Sequence, residues 1–177
     1  MSNESELLQL RPLVERDAST ISRAFSDAGI GRPPQRFAEY HVEQRCGIRQ
    51  CWVAWHAADV AGYVTLHWNP LYPGIAGKGI PEIQDLNVLP SFRLRGIATR
   101  LLERVEQEAA SRSPIVALGV GLHPGFNAAL RLYVKRGYVP DGLGLTHDDR
   151  YIQVGELVRM DDDLLLHLSK VLPRAGG

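Results

Sequence analysis

At 177 residues, 45% hydrophobic and 23% charged, the chain has enough apolar material to bury one core and is short for two independent ones. Its 20 basic residues balance 20 acidic ones, so no global field attracts nucleic acid or an anionic membrane, and any anion site must be local. Cys46 and Cys51 stand in neither a CxxC nor a zinc spacing, MSNESELLQLRP has no basic-then-apolar leader, and no run nears the ~18 apolar residues of a membrane span. The expectation is a single-domain, cytoplasmic protein with reduced thiols and with no metal, nucleic-acid or membrane partner.

Leu8 to Val14 reads as a short strand, after which Asp17 can cap a helix whose Ala18, Ile21, Phe25 and Ala28 recur at helical spacing. Gly29 and Gly31 end it. Pro33-Pro34 restart the chain into a second helix carrying Phe37, Tyr40 and Gln44, closed by Gly47. CWVAWHA and VAGYVTLHW, separated by Ala58-Asp59, form a predicted hairpin rich in β-branched and aromatic residues. The Pro/Gly-rich stretch from Asn69 to Pro81 is a loop, and EIQDLNVL after it is a fourth strand stopped by Pro90. From Ile97 an amphipathic helix keeps Ile97, Leu101, Leu102, Val105 and Ala109 on one face. IVALGVGL has the unbroken apolar character of a strand covered on both faces, and Phe126 to Arg136 is a helix with Gly137 as its stop. YVPDGLGL and LLLHLSKVL complete the order β-α-α-β-β-β-α-β-α-β-β, and the polar tail Pro173 to Gly177 is expected to fray.

The segment VLPSFRLRGIATRLL runs from a strand end through a proline break into a helix. A helix start offers backbone N–H groups without intrahelical partners and a positive dipole end, both of which suit phosphate. Arg93, Arg95 and Arg100 add charge there, and Gly96 and Ala98 leave no bulky side chain in the way. Neither the Gly-Lys-Ser/Thr of a Walker loop nor GxGxxG is present.

Arg93-x-x-Gly96-x-Ala98, following Val88-x-Pro90, resembles the Arg/Gln-x-x-Gly-x-Gly/Ala motif of the GNAT superfamily of N-acetyltransferases. The segment Asn127-Ala128-Ala129-Leu130-Arg131-Leu132-Tyr133-Val134-Lys135-Arg136-Gly137-Tyr138 resembles that family's second signature. The resemblance spans about residues 8–171. It implies an α/β fold with a mixed, mostly antiparallel central sheet of about seven strands, helices on both faces, and acetyl-CoA as the acetyl donor. It also implies that the sheet splays between the fourth and fifth strands, with the pantetheine arm pairing with the backbone of Leu86, Asn87, Val88 and Leu89. The pyrophosphate then falls on Arg93, Leu94, Arg95 and Gly96 and on Ile97, Ala98 and Thr99. Asn127 matches a position that contacts the cofactor arm, and Tyr133 one that faces the thioester sulfur. From the residues alone, Asn127 can equally be a helix cap and Tyr133 a core aromatic.

Attack on a thioester needs a neutral amine, and an alkylamine of pKa about 10.4 is neutral in about one molecule in 2,500 at pH 7, a deficit of about 4.6 kcal/mol. A carboxylate base acting directly or through water offsets this, and backbone N–H near Val88 can receive the oxyanion. Glu82, on one strand face with Gln84 and Leu86 if the strand is regular, is the expected base, with Asp85 the alternative if a bulge shifts the register. Tyr133 is the expected acid for the departing thiolate. His147-Asp148-Asp149 and Asp161 to Asp163 read as solvated acidic turns, His123 lies near the fifth strand's end, and His41, His56, His67 and His167 have no catalytic neighbour in sequence. Trp55, Trp68 and Tyr72 either line the acceptor pocket or fill the core, core filling being the commoner role.

Three functions follow from this pattern. The first is acetylation of a small-molecule amine, with the loop from Asn69 to Pro81 covering the acceptor side. The second is acetylation of a protein Lys or N-terminus, and the third is a non-catalytic acetyl-CoA-binding sensor. A homodimer formed by strand exchange or sheet pairing at the last strand is compatible with each.

Overall fold

The computed structural model describes residues 7–173. The amino-terminal segment through Glu6 and all but Pro173 of the tail lie outside the described residues. Eight strands and four α-helices follow in the order β1 (Leu8–Pro12), α1 (Asp17–Asp27), α2 (Pro34–Arg45), β2 (Arg49–His56), β3 (Asp59–His67), β4 (Glu82–Val88), α3 (Ile97–Ala110), β5 (Ile115–Gly121), α4 (Asn127–Lys135), β6 (Val139–His147), β7 (Arg150–Tyr151) and β8 (Leu164–Val171). The mixed, mostly antiparallel sheet agrees with the expected class and has one strand more than anticipated. The extra strand, β7, is two residues long, too short to leave a periodic signal.

The chain divides into two compact units, one holding the described residues up to His67 with Gln84–Val105, the other Trp68–Ile83 with the residues from Glu106 onward. In the first unit β1 pairs antiparallel with β2, and β2 with β3. The hairpin turn falls on Ala57-Ala58 rather than Ala58-Asp59, with Ala57 at φ 55°. Under this sheet Ile21 and Phe25 of α1 and Phe37 and Tyr40 of α2 are buried with Val53, Val60 and Tyr63. Phe25 and Phe37 each set an edge against Tyr63, at 5.3 and 5.1 Å between ring centroids. The helix ends are as read from sequence: Gly29 takes φ 74° and the Ile30 amide reaches back to the Phe25 carbonyl at 2.9 Å, a Schellman closure.

Asp17 corrects one expectation, because its side chain does not cap α1 from in front of the helix. It is the first helical residue, and its carboxylate accepts Arg11 at 2.6 and 2.8 Å and the Val14 amide at 3.0 Å, tying β1 to the helix start. The predicted apolar face of α3 is as expected, with Ile97, Leu101, Leu102, Val105 and Ala109 all buried.

In the second unit Glu82 and Ile83 pair in parallel with Ala117 and Leu118 of β5. β5 runs antiparallel to β8, β8 to β6, and β6 to β7. β8 is therefore an interior strand, so the expected pairing of copies through the last strand is not available: both of its ladders are occupied within the chain. The loop from Asn69 to Pro81 is folded inward by Tyr72 and Ile75, which pack on Ala117. Glu106 of α3 receives Arg136, Tyr138 and Lys170 together, which fastens the end of α4 to β8.

Candidate active site

In the first unit β4 is not a regular strand. Asp85 sits at φ 50°, a left-handed conformation that costs a non-glycine residue on the order of 1 kcal/mol. The alternation that would align Glu82, Gln84 and Leu86 is broken there. The Asp85 carboxylate is held from α2: Oδ2 accepts a short hydrogen bond from the Tyr40 hydroxyl and a 3.3 Å contact from Arg36. Burial first, and the neighbouring Asp85 charge second, push the Tyr40 phenol up, so it remains a donor. Asn87 turns its amide toward the Asp85 carbonyl at 3.1 Å and toward the Tyr63 hydroxyl, while Arg32 bridges Tyr63 and the Asn87 side chain. Gly62 lies against this strand so closely that a Cβ there would meet the Asn87 carbonyl oxygen at 2.4 Å.

The strand end runs directly into the expected anion loop. Leu89 spends its amide on the Ala61 carbonyl and its carbonyl on the Phe92 amide, both at 2.9 Å. Leu86, Asn87 and Val88 precede this closure, and Arg93 Nε folds back onto the Val88 carbonyl at 3.2 Å. Leu94 at φ 62° and Gly96 at φ 76° reverse the chain, with Leu94 fully exposed and the space around Gly96 open. Glycine at 96 thus answers to backbone angle, not to crowding. The Arg100 amide reaches the Gly96 carbonyl at 3.1 Å, so the N–H groups of Ile97, Ala98 and Thr99 precede the first bond of α3. Arg95 stands over the Phe92 ring at 5.5 Å. Exposed arginines, an open glycine turn and helix-start amides without intrahelical partners fit a pyrophosphate.

In the second unit, the remaining expected residues divide. Asn127 is the first residue of α4 and is exposed; Phe126 occupies the cap position and no side chain caps the helix, so Asn127 is not a helix cap. Tyr133 is buried, 5.9 Å from the Tyr138 ring, and its hydroxyl makes no hydrogen bond among the described residues. Burial pushes its phenol up, keeping it protonated at neutral pH.

Glu82 is 5% exposed, and 3.7 Å from its Oε1 lies Nδ1 of His167, itself 1% exposed. His167 Nε2 is 2.8 Å from the Thr146 hydroxyl, and its ring stacks on Tyr72 at 3.4 Å with 2° between planes. His167 thus lies beside Glu82, the expected base, although the two are 85 positions apart in sequence; they meet through the order of β4, β5 and β8, which no local pattern reveals. Tyr40 and Arg36 were likewise missed as partners of Asp85, since helical spacing marks Tyr40 only as apolar. The acidic turns are engaged with histidines: His147 meets Asp148 and Asp161, and His123 meets Asp162 at 2.7 Å. Among the described residues no group of three or more His, Cys, Asp or Glu is disposed to hold a metal. No described helix is long and apolar enough to cross a membrane, and Cys46 and Cys51 are both free.

The model of the Acetyltransferase (GNAT) family matches residues 18–138. No curated protein sequence matches the chain. Among solved structures, the yncA protein of Salmonella typhimurium, with its cofactor acetyl-CoA, is similar at 20% identity and TM-score 0.67, over 97% of both chains. Spermidine N-acetyltransferase of Vibrio cholerae, in complex with CoA and spermine, is similar at 16% identity and TM-score 0.65, over 94% of this chain and 96% of that one. An acetyl transferase of Salmonella typhimurium that modifies the N-terminal serine of ribosomal protein L7/L12 is similar at 11% identity and TM-score 0.71, over 97% and 98%.

Proposed function

Since the chain belongs to the acetyltransferase (GNAT) family, whose model spans more than half of it, we propose that it transfers the acetyl group of acetyl-CoA to the primary amine of a small molecule. The observation that carries the reading is the start of α3, where Ile97, Ala98 and Thr99 offer N–H groups beside Arg93, Arg95 and Gly96. These residues, with Leu94, take the pyrophosphate, and Leu86, Asn87 and Val88 take the pantetheine arm, with Leu89 closing the strand. Acetyl-CoA supplies the activated acetyl thioester. Asn127, exposed and without a capping duty, contacts the cofactor arm.

Glu82 is the base. It is too buried for open contact with an acceptor and receives the amine proton through a water, leaving the nitrogen lone pair to attack. Asp85 is the alternative base, with its Oδ2 already engaged by Tyr40 and Arg36. Backbone N–H near Val88 receives the oxyanion, and Tyr133, protonated by virtue of its burial, supplies the proton that the thiolate takes up. Two carboxylates on β4 suit an acceptor that carries a cationic amine, and the loop from Asn69 to Pro81, which would cover the acceptor side, favours a small molecule. The described chain acts as one catalytic domain, its free cysteines are those of a cytoplasmic protein, and a homodimer formed through other surfaces is compatible with this activity.

Isothermal calorimetry with acetyl-CoA tests the cofactor part. Replacing Arg93 and Arg95 together by Ala removes up to two charge-assisted bonds of about 1.5–3 kcal/mol each, so the dissociation constant rises at least about 10-fold. An unchanged constant overturns the assignment of the loop.

A further inference from the structure

The His167 side chain itself has no part in the reaction as described, yet it is enclosed on four sides. Thr146 on β6 holds Nε2, Tyr72 from the loop before β4 covers the ring face, Glu82 at the start of β4 faces Nδ1, and Gly119 on β5 stands directly opposite in register. A Cβ at Gly119 would press on the imidazole at 3.3 Å and on Leu165 at 3.0 Å, so the glycine leaves room for the ring. Tyr72 is fixed in turn by its hydroxyl, which donates to Asp141 of β6, and by an edge contact from Tyr151 of β7. Among the described residues the buried His167 Nδ1 has no hydrogen-bond partner, which is costly unless something nearby uses it.

The proton on the ring can sit on either nitrogen, and the neighbours decide which. With hydrogen on Nε2, the Nδ1 lone pair would point at a carboxylate. With hydrogen on Nδ1, Thr146 donates its hydroxyl proton to Nε2 and the ring offers an N–H to Glu82. Only the second arrangement is attractive at both ends. Burial lowers the imidazole's pKa to about 4, against a smaller opposing pull from Asp141, so the ring is neutral at physiological pH.

Resting on the reading of Glu82 as the base, we propose that His167 is a positioning residue: its Nδ1–H, locked by Thr146 and Tyr72, orients the Glu82 carboxylate that takes the acceptor's proton. In the step itself the proton passes from the amine nitrogen through water to a Glu82 oxygen, and the electron pair stays on nitrogen. His167 keeps its own proton throughout. A neutral donor orients the carboxylate without adding a positive charge beside it, which Lys or Arg in the same place would do.

The test has two arms. Long-range proton–nitrogen NMR of the full chain, with His167→Asn to assign the signal, is expected to show a neutral ring with hydrogen on Nδ1 from pH 8 down to pH 5, and a displaced Nδ1 resonance in Glu82→Gln. Hydrogen on Nε2, or indifference to Glu82→Gln, overturns the proposal without reference to any acceptor. For turnover, acetyl-CoA is combined with spermidine, an aminoglycoside or a Lys-containing peptide, whichever reacts fastest. His167→Phe is expected to lower kcat about 10²-fold, the lower end of what a positioned base contributes, with the KM for acetyl-CoA unchanged. His167→Asn, which keeps a donor near the Nδ1 position, recovers most of that loss. In the Glu82→Gln background His167→Phe adds nothing further, whereas a full additional loss there contradicts positioning through Glu82. If Glu82→Gln turns over normally, it is the base reading that fails, and the NMR arm still decides whether the pair exists. Should His167→Phe not fold, the Asn variant and the NMR arm carry the test.

Discussion

Replacing Glu106 by Ala removes the acceptor of four hydrogen bonds at once: Arg136 Nε at 3.2 Å and Nη2 at 2.8 Å, the Tyr138 hydroxyl at 3.0 Å and Lys170 Nζ at 2.8 Å. The side chains of Arg136 and Lys170 are only 15% and 18% exposed, so their charges would remain partly buried without their shared counterion. Breaking such a buried group by deleting one partner costs about 3–5 kcal/mol, and at about 2–4 °C per kcal/mol for a chain of this size the melting temperature falls by about 10 °C. The pH dependence carries the sign. Burial alone would raise the Glu106 pKa, but the bonds from Arg136, Lys170 and Tyr138 outweigh it and hold the carboxyl below its ordinary 4.5. Its contribution is therefore complete above pH 4.5 and lost as pH falls through the folded value, so the gap between wild type and variant closes in acid. Calorimetric melts from pH 7 to pH 3 measure this. A drop under about 2 °C at pH 7, or a gap that does not narrow in acid, refutes the reasoning.

The same linkage runs through His167, whose pKa falls from 6.5 to about 4 on folding, so its contribution is full above pH 6.5 and is lost as pH falls toward 4. His167→Phe is expected to flatten the fall of melting temperature over that interval, by no more than about 3 kcal/mol, and an unchanged slope counts against a buried neutral ring. Gly62→Ala drives a Cβ into the Asn87 carbonyl, an overpacking of about 1–3 kcal/mol, and by displacing β4 raises the KM for acetyl-CoA about 10-fold; steady-state kinetics that match wild type would show that β4 does not touch the cofactor. Tyr133→Phe lowers kcat about 10²-fold or more with acetyl-CoA affinity unchanged, whereas equal kcat removes Tyr133 from the proton path.

Much of the fold could be read in advance because its signals are local. The five apolar positions of α3 fall on one helical face and all are buried, and Gly29, Gly47 and Gly137 stop their helices at positive φ. The turn into α3 is legible for the same reason, its Arg93, Gly96 and Ala98 lying within six consecutive residues and Gly96 taking a positive φ. What escaped is whatever depends on register between distant strands. Glu82 meets His167 only because β5 stands between β4 and β8, and Thr146 reaches the same ring from β6. The kink at Asp85 was foreseen as an option and not as a fact, since nothing in EIQDLNV marks a left-handed residue the way a glycine would. Its helix partners Arg36 and Tyr40 lie more than forty positions upstream.

Release of free CoA thiol from acetyl-CoA, followed at neutral pH with spermidine, aminoglycosides, amino acids and Lys-containing peptides as acceptors, tests the central claim most directly. The account predicts thiol release matched mole for mole by acetylated small amine. Tight acetyl-CoA binding with no thiol released by any acceptor would contradict it and leave a cofactor-binding protein without turnover, and release with the peptides alone would contradict the small-molecule assignment.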